Sequence, residues 1–66
     1  MIHLLINSEP RETKAISLEI LFDELGLPAP LLLVEYNGRA LHRSEWEEVK
    51  LSEGDRLELM SVAAGG

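Results

Sequence analysis

Only one stretch of this chain has the pattern of a full helix, and that limits the fold more than any other feature. In ISLEILFDELGL, residues 16–27, the apolar positions Leu18, Leu21, Phe22 and Leu25 recur at i, i+3, i+4 and i+7, which places them on one helical face. Ser17 stands just before them and can cap the free N–H groups of the first turn. Glu19 falls near the positive end of the helix dipole, and Ile16 is placed to staple onto Leu21. Gly26 supplies the left-handed stop, and Pro28 and Pro30 block continuation. One amphipathic helix cannot bury its own stripe, so a sheet must cover it.

The remaining segments read as that sheet. Ile2, Leu4 and Ile6 alternate with His3, Leu5 and Asn7, the period of a half-buried strand. NSEP follows as a turn, and Arg11 to Ala15 as a second strand that completes a hairpin. After the helix, LLLVEY (31–36) reads as a third strand, Asn37–Gly38 as a tight turn, and RALH (39–42) as a short fourth strand. SEWE spaces Ser44 and Glu47 as a capping box, predicting a brief helical turn around Trp46. SEGD is a further turn, and Arg56 to Val62 a last strand with Leu57 and Leu59 on one face.

Size sets the energetic terms. At 66 residues there is room for one small core, and without cysteine no disulfide can staple it. Stability must come from packing, for which 45% hydrophobic residues suffice. Six basic against twelve acidic residues give a net charge of −6, which argues against nucleic acid and anionic membranes as partners. MIHLLIN lacks a basic leader and is too short an apolar run for a signal peptide, and nothing approaches a membrane span. The expectation is a soluble cytoplasmic protein, a setting that the absence of cysteine also suits.

Side-chain catalysis finds little to work with. There is no thiol nucleophile, and His3 and His42, the two histidines, stand in no serine or acid triad pattern. Nor do they have metal-ligand spacing, so both read as partly exposed strand residues and no metal is expected. Glu45, Glu47, Glu48, Glu53, Asp55 and Glu58 form an acidic stretch, either a solvated surface or a patch that steers a basic partner. Trp46, with Arg43 nearby, reads as a cap on the edge of the core.

The last residues are the unusual ones. Ala63, Ala64, Gly65 and Gly66 follow the last strand directly and are all small. Such a tail is slim and mobile enough to thread a narrow active site, and a glycine carboxylate has no Cβ to obstruct an attacking group. Activated by ATP, it would be an acyl-adenylate open to a sulfur or nitrogen nucleophile. The alternative is an untidy tail with no role.

From Asn37 onward the chain resembles the ThiS family, the bacterial sulfur carriers of thiamin (thiazole) biosynthesis. The resemblance lies in NG followed by RSEW, then Leu51, Gly54–Asp55 and Leu57–Glu58–Leu59, then the closing Gly65–Gly66. SLEILFDELGL extends it upstream, while His42 stands where these proteins usually have proline. The resemblance implies an α+β, β-grasp (ubiquitin-like) fold: a mixed four- to five-stranded sheet packed on one main helix. It further implies a domain over 1–62 with a flexible tail over 63–66.

It implies a co-substrate rather than an enzyme. An E1-like adenylating enzyme (ThiF type) would use ATP to adenylate Gly66, and sulfur drawn through a cysteine desulfurase would make a terminal thiocarboxylate (1-thioglycine). A thiazole synthase (ThiG type) would accept that sulfur; no cofactor would be bound, and a monomer suits the shuttle. In a β-grasp sheet Leu57 and Leu59 would face the helix with Leu4, Val34 and Tyr36. Leu5, Leu33, Met60 and Val62 would then lie on the uncovered face as a row for partners.

Three rivals keep their place. The small subunit of molybdopterin synthase also ends in Gly-Gly, but those chains usually run longer and carry an aromatic-proline stretch before it. A ubiquitin-like modifier would use the same activation chemistry. A plain binding module would make no use of Gly66.

Overall fold

In a computed structural model, which describes residues 1–27 and 31–61, the expected elements form one sheet with a helix on one face. Strands β1 (Ile2–Ile6) and β2 (Glu9–Thr13) make a hairpin, and helix α1 (Leu18–Leu25) follows. Strands β3 (Leu32–Tyr36) and β4 (Arg39–Leu41) make a second hairpin, followed by a 3₁₀ helix over Arg43–Glu48. Strand β5 (Arg56–Ser61) then enters the middle, giving the order β2-β1-β5-β3-β4. Only β1 and β5 run parallel, and this mixed sheet with its single helix is the β-grasp arrangement.

The helix ends as its sequence requires. Ser17 Oγ accepts from the Ile20 N–H at 3.3 Å, and Gly26 takes φ 69°, a region that favours glycine. Leu18, Leu21 and Phe22 bury against Leu4, Leu32, Val34 and Leu57 of the sheet, with Leu41, Trp46 and Leu51 closing the core. Leu59 and Tyr36 are half-buried beside it, so all five residues expected to face the helix do so. Trp46 meets Phe22 edge-on, ring centroids 5.1 Å apart, with Arg43 over the indole at 5.8 Å.

Three local expectations need correction. The second strand runs Glu9–Thr13 rather than Arg11–Ala15, because the turn consists of Asn7 and Ser8 alone. Pro10 is therefore inside the strand, opposite Leu5, which the sheet's edge tolerates. The strand stops at Thr13 because the buried Thr13 hydroxyl takes the Ala15 N–H (3.0 Å) and donates to Glu24 (2.6 Å). The Ile16 staple is also absent: Ile16 is 70% exposed while Leu21 is fully buried by the sheet, and the Ile16 carbonyl instead accepts from the Leu51 N–H. Finally, the turn around Trp46 is capped two residues early. Glu45, not Glu47, reaches back, accepting from the His42 N–H at 2.8 Å.

Two asparagines hold β5 in place. Asn7 (φ 52°) and Asn37 (φ 49°) each open a two-residue hairpin turn in the left-handed region, which asparagine tolerates. Each then uses its amide as a substitute piece of strand. Asn37 Oδ1 accepts from the Arg56 N–H at 2.8 Å. The β1–β5 ladder reaches only Leu57; beyond it Asn7 Oδ1 accepts from the Leu59 N–H (2.7 Å) and Asn7 Nδ2 donates to the Leu59 carbonyl (3.2 Å). Asn7→Ala loses two bonds and places a Cβ-bearing residue without a polar side chain at positive φ, an expected cost of about 2 kcal/mol in urea unfolding. Asn7→Gly keeps the φ and should cost roughly half as much. Equal losses in the two variants, or none, would contradict this account.

Asp55 gathers the other end of the sheet. Buried, it accepts from the Tyr36 hydroxyl (2.8 Å), Asn37 Nδ2 (3.2 Å) and the Ser52 N–H (2.8 Å), closing the SEGD turn. Burial first, then the hydrogen bond to Asp55 and its negative charge, raise the Tyr36 phenol above its ordinary 10.0. A raised phenol favours the protonated form in the folded state, so its stabilisation is complete below pH 10.0 and is lost as pH climbs through the raised value. Unfolding midpoints should therefore be insensitive to this group below that pH and fall above it, with a shallower fall in Tyr36→Phe. Parallel falls in the two proteins would exclude the effect.

Candidate functional site

The strand that precedes the Gly-Gly tail is the central one. Strand β5 is flanked by β1 and β3, and its last described residue, Ser61, lies opposite Leu32 at the start of β3. The two asparagines and the ladders on both sides hold this strand in place. Ala63, Ala64, Gly65 and Gly66, together with Val62, lie outside the described residues.

The face of the sheet away from α1 is left open and carries the other candidate residues. Leu5, Leu33 and Met60 are 36%, 57% and 65% exposed. Leu33 and Met60 are direct cross-strand partners and form one apolar pair. Leu5 lies elsewhere, opposite Arg56 on one side and Pro10 on the other. Four positions along β5 separate Arg56 from Met60, roughly 13 Å. The expected row is therefore two apolar islands, with the charged side chains of Arg56 and Glu58 between them.

One feature of this face is not visible in the sequence. Glu35 and Glu58 are directly opposite each other on β3 and β5, both exposed, beside the Leu33–Met60 pair. Their separation by 23 positions hides the pairing until the β3–β5 register is known. A strand pairing of Leu33 with Met60 would have been the signal, because the next outward positions must then be these two glutamates.

The acidic stretch, by contrast, does not form one patch. Asp55 is buried in the Tyr36–Asn37 network, and Glu45 caps the 3₁₀ helix with Arg39 at 3.7 Å. Glu53 accepts from the His3 N–H and lies 3.0 Å from its Nδ1, while Glu12 lies 3.6 Å from Nε2. Glu58 is the member of the stretch that stands on a strand of the open face, while Glu53 reaches the margin of that face beside His3. His3 and His42 are both exposed, and His42 contributes through its backbone: a proline at that position would have no N–H to offer Glu45.

On the helix side, a concavity between α1 and the 3₁₀ helix is lined by Phe22, Leu27, Arg43 and Trp46, with Glu19 and Asp23 at its rim. Trp46 is only 4% exposed, and its Nε1 has no partner among the described residues. The tryptophan thus belongs to the core. Ser44 and Glu47 line the concavity as well, with no hydrogen bond between them among the described residues. Among the described residues no helix is long and apolar enough to cross a membrane.

Comparison with known proteins places this geometry in context. The sequence profile of the ThiS family matches residues 4–66. An uncharacterized protein, ycf40, of Trieres chinensis is 30% identical over 54 residues, covering 82% of this chain and 74% of that protein. A thiazole synthase of Paramagnetospirillum magneticum is 34% identical over 64 residues, covering 96% of this chain but 20% of that protein, so the chain spans about a fifth of its length. Among solved structures, the crystal structure of a thiamine biosynthesis protein (ThiS) from Geobacter metallireducens superposes with a TM-score of 0.82 at 25% identity, covering 98% of this chain and 100% of that one.

Proposed function

The chain belongs to the ThiS family, the sulfur carriers of thiamin biosynthesis, and from that premise we propose that its chemistry is confined to Gly66 and performed on it by other proteins. In this reading the carrier is a co-substrate and not an enzyme. A Gly66 carboxylate oxygen attacks the α-phosphorus of ATP in an E1-like adenylating enzyme, and pyrophosphate leaves. Hydrosulfide then attacks the acyl carbon and AMP departs. Where the sulfur comes instead as a desulfurase-derived persulfide, the same attack gives an acyl disulfide. A second thiol cleaves it, forming a disulfide with the persulfide's cysteine and releasing the thiocarboxylate. One terminal oxygen has been replaced by sulfur, and the thiocarboxylate donates that sulfur to a thiazole synthase.

One observation carries the reading. The family match runs through Gly66, so the glycine pair falls inside the family's pattern instead of trailing beyond it. The strand that precedes the tail in sequence, β5, is paired on both sides within the sheet. The likeness to a segment of a thiazole synthase supports a thiazole synthase as acceptor, and favours the thiamin branch over the molybdopterin one.

Exchange of labelled pyrophosphate into ATP by the host's adenylating enzyme tests the first step. Exchange should depend on the carrier and disappear with a chain lacking Gly66. Exchange that continues undiminished with the truncated chain would contradict the assignment.

A further inference from the structure

The cross-strand pair of glutamates invites an explanation of its own. Like charges directly opposite each other on neighbouring strands destabilise a sheet. Here Glu35 and Glu58 take those positions on the open face, both exposed, in a chain that already carries a net charge of −6. Among the described residues neither is in an ion pair within 4.0 Å, and Arg56, two positions before Glu58, is in none either. Some other acids are put to local use, Glu53 and Glu12 flanking His3 and the half-buried Glu45 holding the 3₁₀ helix. Others, such as Glu47 and Glu48, are in no ion pair among the described residues either, and what sets Glu35 and Glu58 apart is their opposed placement in the sheet. The sheet pair stabilises nothing visible within the fold.

We propose that Glu35 and Glu58 form the electrostatic half of the docking surface for the enzyme that adenylates Gly66, with Leu33 and Met60 as its apolar half. The inference rests on the carrier reading above. Opposed strand positions bring two Cβ atoms within about 5 Å, close enough for one arginine or a pair of lysines to answer both carboxylates. Gly66 is eight residues beyond Glu58, so an enzyme holding Gly66 at its ATP works within about 28 Å of this pair. An enzyme that binds ATP gathers positive charge around the triphosphate, and an acidic face is drawn toward such a field. The occupant is therefore a basic strip bordering the ATP site of the adenylating enzyme. Steering of this kind acts chiefly on the association rate and weakens with salt.

The test compares Glu35→Gln/Glu58→Gln with Glu47→Gln/Glu48→Gln, which removes the same charge from the exposed 3₁₀ helix. Association of each full-length protein with the adenylating enzyme is followed by stopped flow from low to high salt, alongside urea unfolding. The sheet variant should associate about tenfold more slowly at low salt with a flattened salt dependence. It should also unfold at higher urea, because the repulsion is gone; a merely structural role would not pair gained stability with lost association. The 3₁₀ variant should associate as the parent does.

Equal slowing in both variants would reduce the effect to net charge and overturn the proposal. So would a slowing seen with thiazole synthase and not with the adenylating enzyme. If the parent is adenylated at Gly66 and the sheet variant is adenylated as fast at low salt, this proposal falls alone. If the parent is never adenylated by a demonstrably active enzyme, the carrier reading falls and takes the proposal with it.

Discussion

A chain lacking Gly66 should accept no sulfur at all and yet unfold at the same urea concentration as the parent. The two halves of this expectation have different physical sources. In the proposed reading carrier chemistry resides in the Gly66 acyl carbon, and the chain has no cysteine to hold sulfur in its place. Stability resides in the core, whose buried members all lie between Leu4 and Leu57, and in ladders already paired by Ser61. Removing a residue five positions beyond should change the unfolding free energy by less than about 0.5 kcal/mol. Thiocarboxylate formation measured by intact mass, paired with urea unfolding, checks both halves. A truncated chain that still acquires sulfur, or one that unfolds early, would break the separation between fold and function.

Phe22→Ala should act on the fold itself and remove a large part of its stability. Phe22 is fully buried at the centre of the helix–sheet contact and supports Trp46 edge-on. Truncating such a ring costs about 3–5 kcal/mol in lost transfer free energy and cavity formation. A domain of 66 residues has about 3–10 kcal/mol in all, at roughly 0.05–0.15 per residue. The variant should therefore lose a large share of its stability, with no disulfide to offset the loss. Leu33→Ala, on the open face and 57% exposed, should cost only about 0.5 kcal/mol. Urea unfolding of the pair checks the contrast; a loss below about 1 kcal/mol for Phe22→Ala would mean that the core is not organised around this ring.

How far the sequence could be read depended on whether the relevant physics was local. Helix α1 was legible at both ends because Ser17 and Gly26 act within one turn of themselves. The strands were legible from alternation, and their assembly into one mixed sheet packed on the helix followed from the family resemblance. The misplacements came from local signals with two readings. Pro10 looked like part of a turn, but an edge strand accepts it. Ser44 and Glu47 matched a capping box, but Glu45 was close enough to His42 to cap first. Ile16 had the right spacing for a staple, but the sheet had already buried Leu21.

What could not be read was set by long-range register. Asn7 meets Leu59 across 52 positions and Asn37 meets Arg56 across 19, so as sequence they were only turn residues. The division of the open face into the Leu33–Met60 pair and a distant Leu5 has the same origin. Glu58 looked like one member of an acidic run, and only the register sets it apart from Asp55 and Glu53. The tail lies outside the described residues, and its reading rests on composition and chemistry alone.

The central claim is that Gly66 carries sulfur, and intact mass tests it most directly. The full-length protein is incubated with ATP, the host's E1-like adenylating enzyme and a sulfide source, and then weighed. The account predicts replacement of one oxygen by sulfur, located at Gly66 by fragmentation and dependent on ATP. An unchanged mass with an enzyme shown to be active, or sulfur found elsewhere in the chain, would contradict it.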